Sequence, residues 1–144
     1  MLMIVPYVTL DGHNYAVQQG SYSRDWIRSF TSYLAANIVR LNFIDKGPGV
    51  QTYSMQLVLM AWPTTSIPYT QAGITTTAEA QMTALETTYQ KIATPVTFTD
   101  VLGNASTYGV YMTDLKQTIP NWATPQETFI LAQIELTNAT QTVN

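Results

Sequence analysis

The chain has 144 residues and no cysteine, only 10% of its residues are charged, and its formal net charge is −3. This length predicts one domain with a core of its own, and the missing cysteines exclude disulfides, thiolate catalysis and cysteine metal sites. The negative charge argues against nucleic acid as the main partner, because binding phosphates needs a basic patch. Since ordinary soluble domains are roughly 25% charged, the polar surface here must come from neutral side chains, which protect less well against association.

The first part of the chain predicts strands. Residues 1–10 are rich in β-forming side chains, and Asp11-Gly12 predicts a tight turn before a second strand over 14–18. Residues 21–36 have two interpretations. Their aromatic and β-branched content favours a strand, whereas Ala35 and Ala36 favour a helix. We predict a strand, and the helix stays open as the alternative.

Two more strands and a long loop follow. Polar and apolar residues alternate over 38–45, and residues 46–49 have the composition of a turn. Residues 53–60 predict a long strand whose far end is apolar on both faces, as in buried sheet strands. Residues 63–75 have no periodicity, and a loop of this length inside a domain is usually functional or disordered.

A helix and a hairpin form the clearest part of the pattern. Thr76 and Glu79 predict a capping box, and Pro95 ends the helix because it disfavours helical geometry in the residue before it. The buried face of the helix is predicted from apolar residues at spacings of three and four: Met82, Leu85, Tyr89 and Ile92. An alternating run over 96–101, a turn at Gly103-Asn104 and a second run from Tyr108 then predict a strand pair.

The end of the chain completes a mainly β fold. Residues 118–125 predict a loop, and residues 127–136 a last strand with four apolar residues on one face: Ile130, Ala132, Ile134 and Leu136. Together the elements predict a mainly β (α+β) protein, an antiparallel β-sandwich or barrel with one flanking α-helix. We predict one domain over 1–144 with a long arm loop at about 63–75.

Nothing in the sequence predicts catalysis, a cofactor or a metal site. His13 is the only histidine, and beside a turn a histidine is ordinarily a solvated residue. The sequence has no phosphate-binding loop and no dinucleotide fingerprint. Residues 1–5 carry no basic region and precede Pro6, which predicts no signal peptide. The most apolar run, 55–62, is too short to span a membrane, so we expect no membrane anchor.

Six features, in chain order, carry a resemblance to a known family. They are the Leu10-Asp11-Gly12 turn, a segment with Tyr22, Arg28 and Ser29, the strand over 53–59, a helix ending in Leu85-Glu86-Thr87-Thr88-Tyr89, the block over 95–100 with Gly103, and Tyr108-Gly109-Val110. In this order the chain resembles the small tail and baseplate proteins of long-tailed bacteriophages, especially the core domain of distal tail proteins, which are similar to tail-tube subunits.

The resemblance implies a structural role without catalysis. It implies a tail-tube-like domain that assembles as a hexameric homo-oligomeric ring in the virion tail, as a distal tail, baseplate or tube component. Such a chain is made in the bacterial host cytoplasm, and neighbouring tail proteins are its other partners. The alternative is a virion-associated carbohydrate-binding β-sandwich used in host attachment, because the three tryptophans and nine tyrosines could stack on sugars.

Five residues are predicted at the subunit interface. Ile67, Pro68 and Tyr69 give the arm an apolar tip that a neighbouring subunit could bury, and tyrosine supplies contact area for only two rotatable bonds. Trp26 and Arg28 share one side of the segment predicted as a strand, an amphipathic mixture that suits an interface. We therefore predict that the arm crosses a subunit boundary.

Overall fold

The structure is a computed structural model that describes residues 5–27, 30–34, 41–45, 50–62, 74–91, 93–120 and 129–139. These residues form nine strands and one helix. The strands are β1 (Tyr7–Leu10), β2 (His13–Val17), β3 (Ser23–Ile27), β4 (Phe30–Leu34), β5 (Leu41–Asp45), β6 (Val50–Leu59), β7 (Phe98–Thr99), β8 (Val110–Thr118) and β9 (Ile130–Asn138). Helix α1 (Ala78–Tyr89) lies between β6 and β7 in the chain.

Seven of these strands form one antiparallel sheet in the order β7-β1-β2-β6-β9-β8, and β3 also pairs with β6. The long strand β6 has room for two neighbours on one side. Its first half pairs with β3 and its second half with β2, while β9 runs along the other side. β4 and β5 pair with each other in a separate two-stranded sheet. The predicted mainly β fold with one flanking helix is confirmed, and the described sheet does not close into a barrel.

The strands follow the sequence pattern closely. β1 and β2 join at Asp11 and Gly12, both with positive φ, as a two-residue hairpin turn requires. Residues 23–27 and 30–34 are strands, so within the described residues the strand interpretation of this segment is confirmed. The predicted face of β9 is buried, with Ile130, Ala132, Ile134 and Leu136 in the core. The predicted strand over 96–101 is shorter than expected, because only Phe98 and Thr99 are strand residues.

Helix α1 begins one residue later than the predicted capping box. Thr77 is the N-cap, and its hydroxyl accepts a hydrogen bond from the backbone N–H of Ala80 at 3.2 Å. A cap of this kind satisfies one of the N–H groups that the first turn leaves unpaired. Glu79 then lies within the first turn, where a carboxylate favours the positive end of the helix dipole. The predicted pair of Thr76 and Glu79 is therefore wrong.

The buried face of α1 also differs from the prediction in part. Met82 and Leu85 are buried as predicted, but Tyr89 is 45% exposed. In place of Tyr89, Thr88 faces inwards, and its hydroxyl lies 3.2 Å from a carboxylate oxygen of Asp11. Lys91 reaches the same oxygen at 2.5 Å. These polar contacts fix the end of the helix to the β1–β2 turn, and hydrophobic periodicity does not reveal them.

Several predictions lie outside the described residues. They concern Arg28, the turn over 46–49, Ile92, and the arm with its tip Ile67, Pro68 and Tyr69. The base of the arm is described. The backbone N–H of Trp62 donates to the carbonyl of Ile74 at 2.8 Å, so the chain leaves and re-enters the described structure at one point.

Candidate functional site

The most distinctive surface is a four-residue block on β3 and β6, which we call the arginine stack: Arg24, Trp26, Gln51 and Tyr53. The register between β3 and β6 places these four residues side by side. Arg24 lies opposite Tyr53, and Trp26 lies opposite Gln51. Alternate residues of a strand share a face, so the two cross-strand pairs form one patch.

The guanidinium of Arg24 holds the arginine stack together. Its central carbon lies 4.7 Å from the centroid of the Trp26 ring and 5.3 Å from that of Tyr53. Both Nε and Nη2 donate to the side-chain carbonyl of Gln51. A cation over an aromatic face contributes about 0.5–1 kcal/mol at an exposed site. Trp26 is nevertheless 64% exposed, so a large aromatic surface faces outwards in a fixed position.

A polar cleft of about 220 Å³ lies beside the arginine stack. Arg24, Gln51 and Tyr53 form one wall, and the loop from Asp100 to Tyr108 forms another. The Asp100 carboxylate is buried and accepts the backbone N–H groups of two residues of its own loop, both at 2.9 Å: Leu102 and Asn104. Asp100 therefore shapes the loop.

Tyr22 lies next to Asp100, with its hydroxyl 3.4 Å from the carboxylate. Burial raises the pKa of Tyr22 to about 12, and the charge of Asp100 adds to the effect. The folded protein thus favours the neutral phenol. The stability contributed by neutral Tyr22 is complete below pH 10, the ordinary pKa of the phenol, and is lost as the pH rises towards 12.

We expect Tyr22→Phe to flatten this alkaline loss of stability. The variant has no phenol at this position to ionise on unfolding, so its denaturation midpoint should fall less than that of the wild type across this pH range. The measurement is urea denaturation of both proteins at a series of pH values. Superimposable pH profiles would contradict a coupling between Tyr22 and folding.

The second surface is the outer edge of β8. Among the described strands β8 pairs only with β9, and on its other side only Val110 is bonded, in a bridge with Val96. From residue 113 to 118 the side chains are exposed except for Leu115, which is partly buried. Among the described residues, no strand pairs with the outer edge of this half of β8, and an unpaired edge of this kind can template pairing with another chain.

The predicted site residues have different outcomes. Trp26 is exposed and lies in the arginine stack, while its predicted companion Arg28 is outside the described residues. His13 is an exposed residue at the start of β2, and the centroid of its ring lies 6.3 Å from the ring centroid of Tyr15. Within the described ranges no three or more acidic or histidine side chains form a group that could hold a metal ion.

Neither the place of Gln51 in the arginine stack nor the exposed edge of β8 was predicted from the sequence. Gln51 carries no local signal, because it joins Arg24 only through the register of β3 and β6. The edge of β8, in contrast, has a recognisable sequence pattern. Residues 113–118 are mostly polar on both faces of the strand, which is not the pattern of a strand covered on one side.

The described residues form a mainly β fold with one flanking helix, a strand edge that no other described strand covers, and an exposed aromatic–arginine patch. Neither models of known protein families nor curated proteins match the sequence. Among the described residues, no helix has both the length and the apolar character needed to cross a membrane.

Proposed function

We propose that this chain is a structural subunit of a bacteriophage tail that assembles into a homo-oligomeric, hexameric ring and catalyses no reaction. Its place is a distal tail, baseplate or tube component of the virion. The tail assignment rests on the resemblance of the sequence to those proteins. The assembly itself is supported by one structural observation, the outer edge of β8, which pairs with no described strand.

The edge of β8 supports assembly because an unprotected strand is a liability in a monomer. Soluble proteins commonly shorten, cover or bulge such edges. This strand has nine residues and a bulge between Met112 and Asp114, but the bulge precedes the exposed half. A strand from a neighbouring copy would satisfy the outward backbone groups, as it does in β-augmentation.

The arginine stack supports a head-to-tail arrangement. It lies on β3, on the opposite side of β6 from β9 and β8. One copy would therefore offer β8, and the next would offer the region of β3. Two different surfaces meeting in this way form a heterologous contact, which closes into a ring when the rotation allows it. Tryptophan and arginine are also the residues most often found at the energetic centre of an interface.

The first test is the size of the purified protein and the effect of charge on the β8 edge. We expect a ring-sized particle by light scattering and electron microscopy. The double variant Thr113→Lys with Gln117→Lys should shift it to smaller species, because lysines on an edge strand lose hydration when another strand pairs there. Both side chains are exposed, so the fold should tolerate the change.

A matched control has the same added charge elsewhere. Thr83 and Thr87 are exposed on α1, and Thr83→Lys with Thr87→Lys should leave the particle intact.

Trp26→Ala tests the other surface and should also reduce assembly, whereas Leu102→Ala, which removes an exposed apolar side chain from a loop, should not. A small species that binds glycans in the wild type would contradict the ring and favour the carbohydrate-binding alternative.

A further inference from the structure

The strands β3, β6, β9 and β8 lie side by side in that order, each antiparallel to the next. Because their directions alternate, the two end strands, β3 and β8, run in opposite directions. Each has an outer edge that pairs with no described strand. In a ring whose axis lies nearer to the strand direction than to the direction across the sheet, β8 of one copy therefore meets β3 of the next in antiparallel orientation.

Two charged residues of these end strands lie on the same face of the sheet. Lys116 lies opposite Gln133 on β9, which lies opposite Gln56 on β6. Asp25 lies opposite Thr52, which is also on β6. Thr52 and Gln56 are four residues apart, and an even separation along a strand keeps side chains on one face. Since opposite residues of paired strands also share a face, Asp25 and Lys116 do so.

The charges of these residues select one register between the end strands. Asp25 and Lys116 are both exposed, and neither forms an ion pair with another described residue. A shift of one residue from the register that places them opposite each other would turn the side chains to opposite faces. A shift of two would place Asp25 opposite Asp114, a like charge, or opposite the uncharged Thr118. Only the unshifted register joins opposite charges.

This register also determines the tilt of the strands in the ring. Because Gln56 lies four residues beyond Thr52, the next copy is shifted along the strands by about 13 Å, at roughly 3.3 Å per residue. Corresponding strands of the two copies are separated by four strand spacings, or about 19 Å. The strands then tilt by about 35° from the ring axis, within the range of roughly 35–45° at which sheets close into barrels. The register is therefore compatible with closure.

We propose that β8 of one copy pairs antiparallel with β3 of the next, with Lys116 opposite Asp25 across each subunit boundary. The same register places Leu115 opposite Trp26 on the other face of the sheet, where the exposed tryptophan gains an apolar neighbour. This inference rests on the proposed ring and names its contact. The partner is a second copy of this chain, and the sheet continues from one copy into the next.

Charge reversal tests the ion pair. Asp25→Lys and Lys116→Asp each place like charges opposite one another, and each should raise the protein concentration needed for ring formation by roughly fivefold. The double variant, Asp25→Lys with Lys116→Asp, restores opposite charges and should assemble as the wild type does. Glu86→Lys is the matched control, because it reverses an exposed charge on α1 and should leave the threshold unchanged. Urea midpoints verify that every variant is folded.

A disulfide tests the contact directly, because the chain contains no cysteine. Oxidation of the variant Asp25→Cys with Lys116→Cys should give covalent oligomers up to the size of the ring, since opposite residues lie within the roughly 4.4–6.8 Å between Cα atoms that a disulfide spans. Within one copy β3 and β8 are three strand spacings apart, about 14 Å, which is too far for a disulfide. Asp25→Cys with Asp114→Cys, two residues out of register, should cross-link far less.

The outcomes separate this pairing from the ring itself. A ring that forms normally from both single charge variants, with no cross-link between positions 25 and 116, would overturn the pairing and leave the ring standing. A stronger cross-link from position 25 to position 114 would overturn the register. A wild-type protein that stays monomeric at every concentration would contradict the ring and the pairing together.

Discussion

Leu85→Ala should lower the free energy of unfolding by about 2–5 kcal/mol, the range for removing a buried leucine side chain. Leu85 is fully buried at the centre of the inner face of α1, which packs on β8, β6 and β9. Alanine is a better helix former than leucine, so the loss comes from packing and not from helix propensity. Urea denaturation, with the midpoint and slope fitted together, measures it.

Tyr89→Ala on the same helix is the matched control. Tyr89 is the larger side chain, but much of it faces solvent, and exposed positions usually change stability within about 0.5 kcal/mol. Leu85→Ala should therefore be the more damaging substitution by a wide margin. Equal losses at the two positions would show that the helix is rotated from the orientation described above.

Gly109→Ala should also be strongly destabilising, by more than about 2 kcal/mol. Gly109 has φ of +82°, and a non-glycine residue in the left-handed region costs roughly 1–2 kcal/mol from the backbone alone. A Cβ here would also lie 2.7 Å from the carbonyl oxygen of Val96 and 3.0 Å from Cβ of Pro95. Relief of that contact must disturb the bridge between Val96 and Val110.

Gly103→Ala isolates the backbone share of this cost. Gly103 has nearly the same φ, +84°, but a Cβ there meets nothing within 4 Å. Its thermal midpoint should fall less than that of Gly109→Ala, and the difference between the two variants measures the close approach to Val96. If both variants lose the same stability, the contact with the Val96 carbonyl carries no cost.

Several strands and the first turn could be predicted because short stretches of sequence carry their patterns. Alternation of polar and apolar residues predicts β6 and β9, and the Asp11-Gly12 pair predicts the first hairpin. The pattern that predicts each of these elements lies within a few neighbouring residues. The buried face of β9 could be named for the same reason, since alternate residues of a strand share a face and four of them here are apolar.

The surfaces were predicted only in part, because they depend on pairings between distant residues. Trp26 could be named because aromatic and basic residues share one side of its segment, but Gln51 lies opposite it only through strand register.

The sequence by itself determined the mainly β character of the protein, the presence of a helix before Pro95 and the low fraction of charged residues. Only the tertiary structure decided how that helix is rotated and which strand is left at the edge. Thr88 faces inwards because the carboxylate of Asp11 lies where it can bond both Thr88 and Lys91. β8 lies at the edge of the described sheet because β9 is the only described strand that pairs with it. Both outcomes depend on contacts between segments far apart in the chain, which local periodicity does not encode.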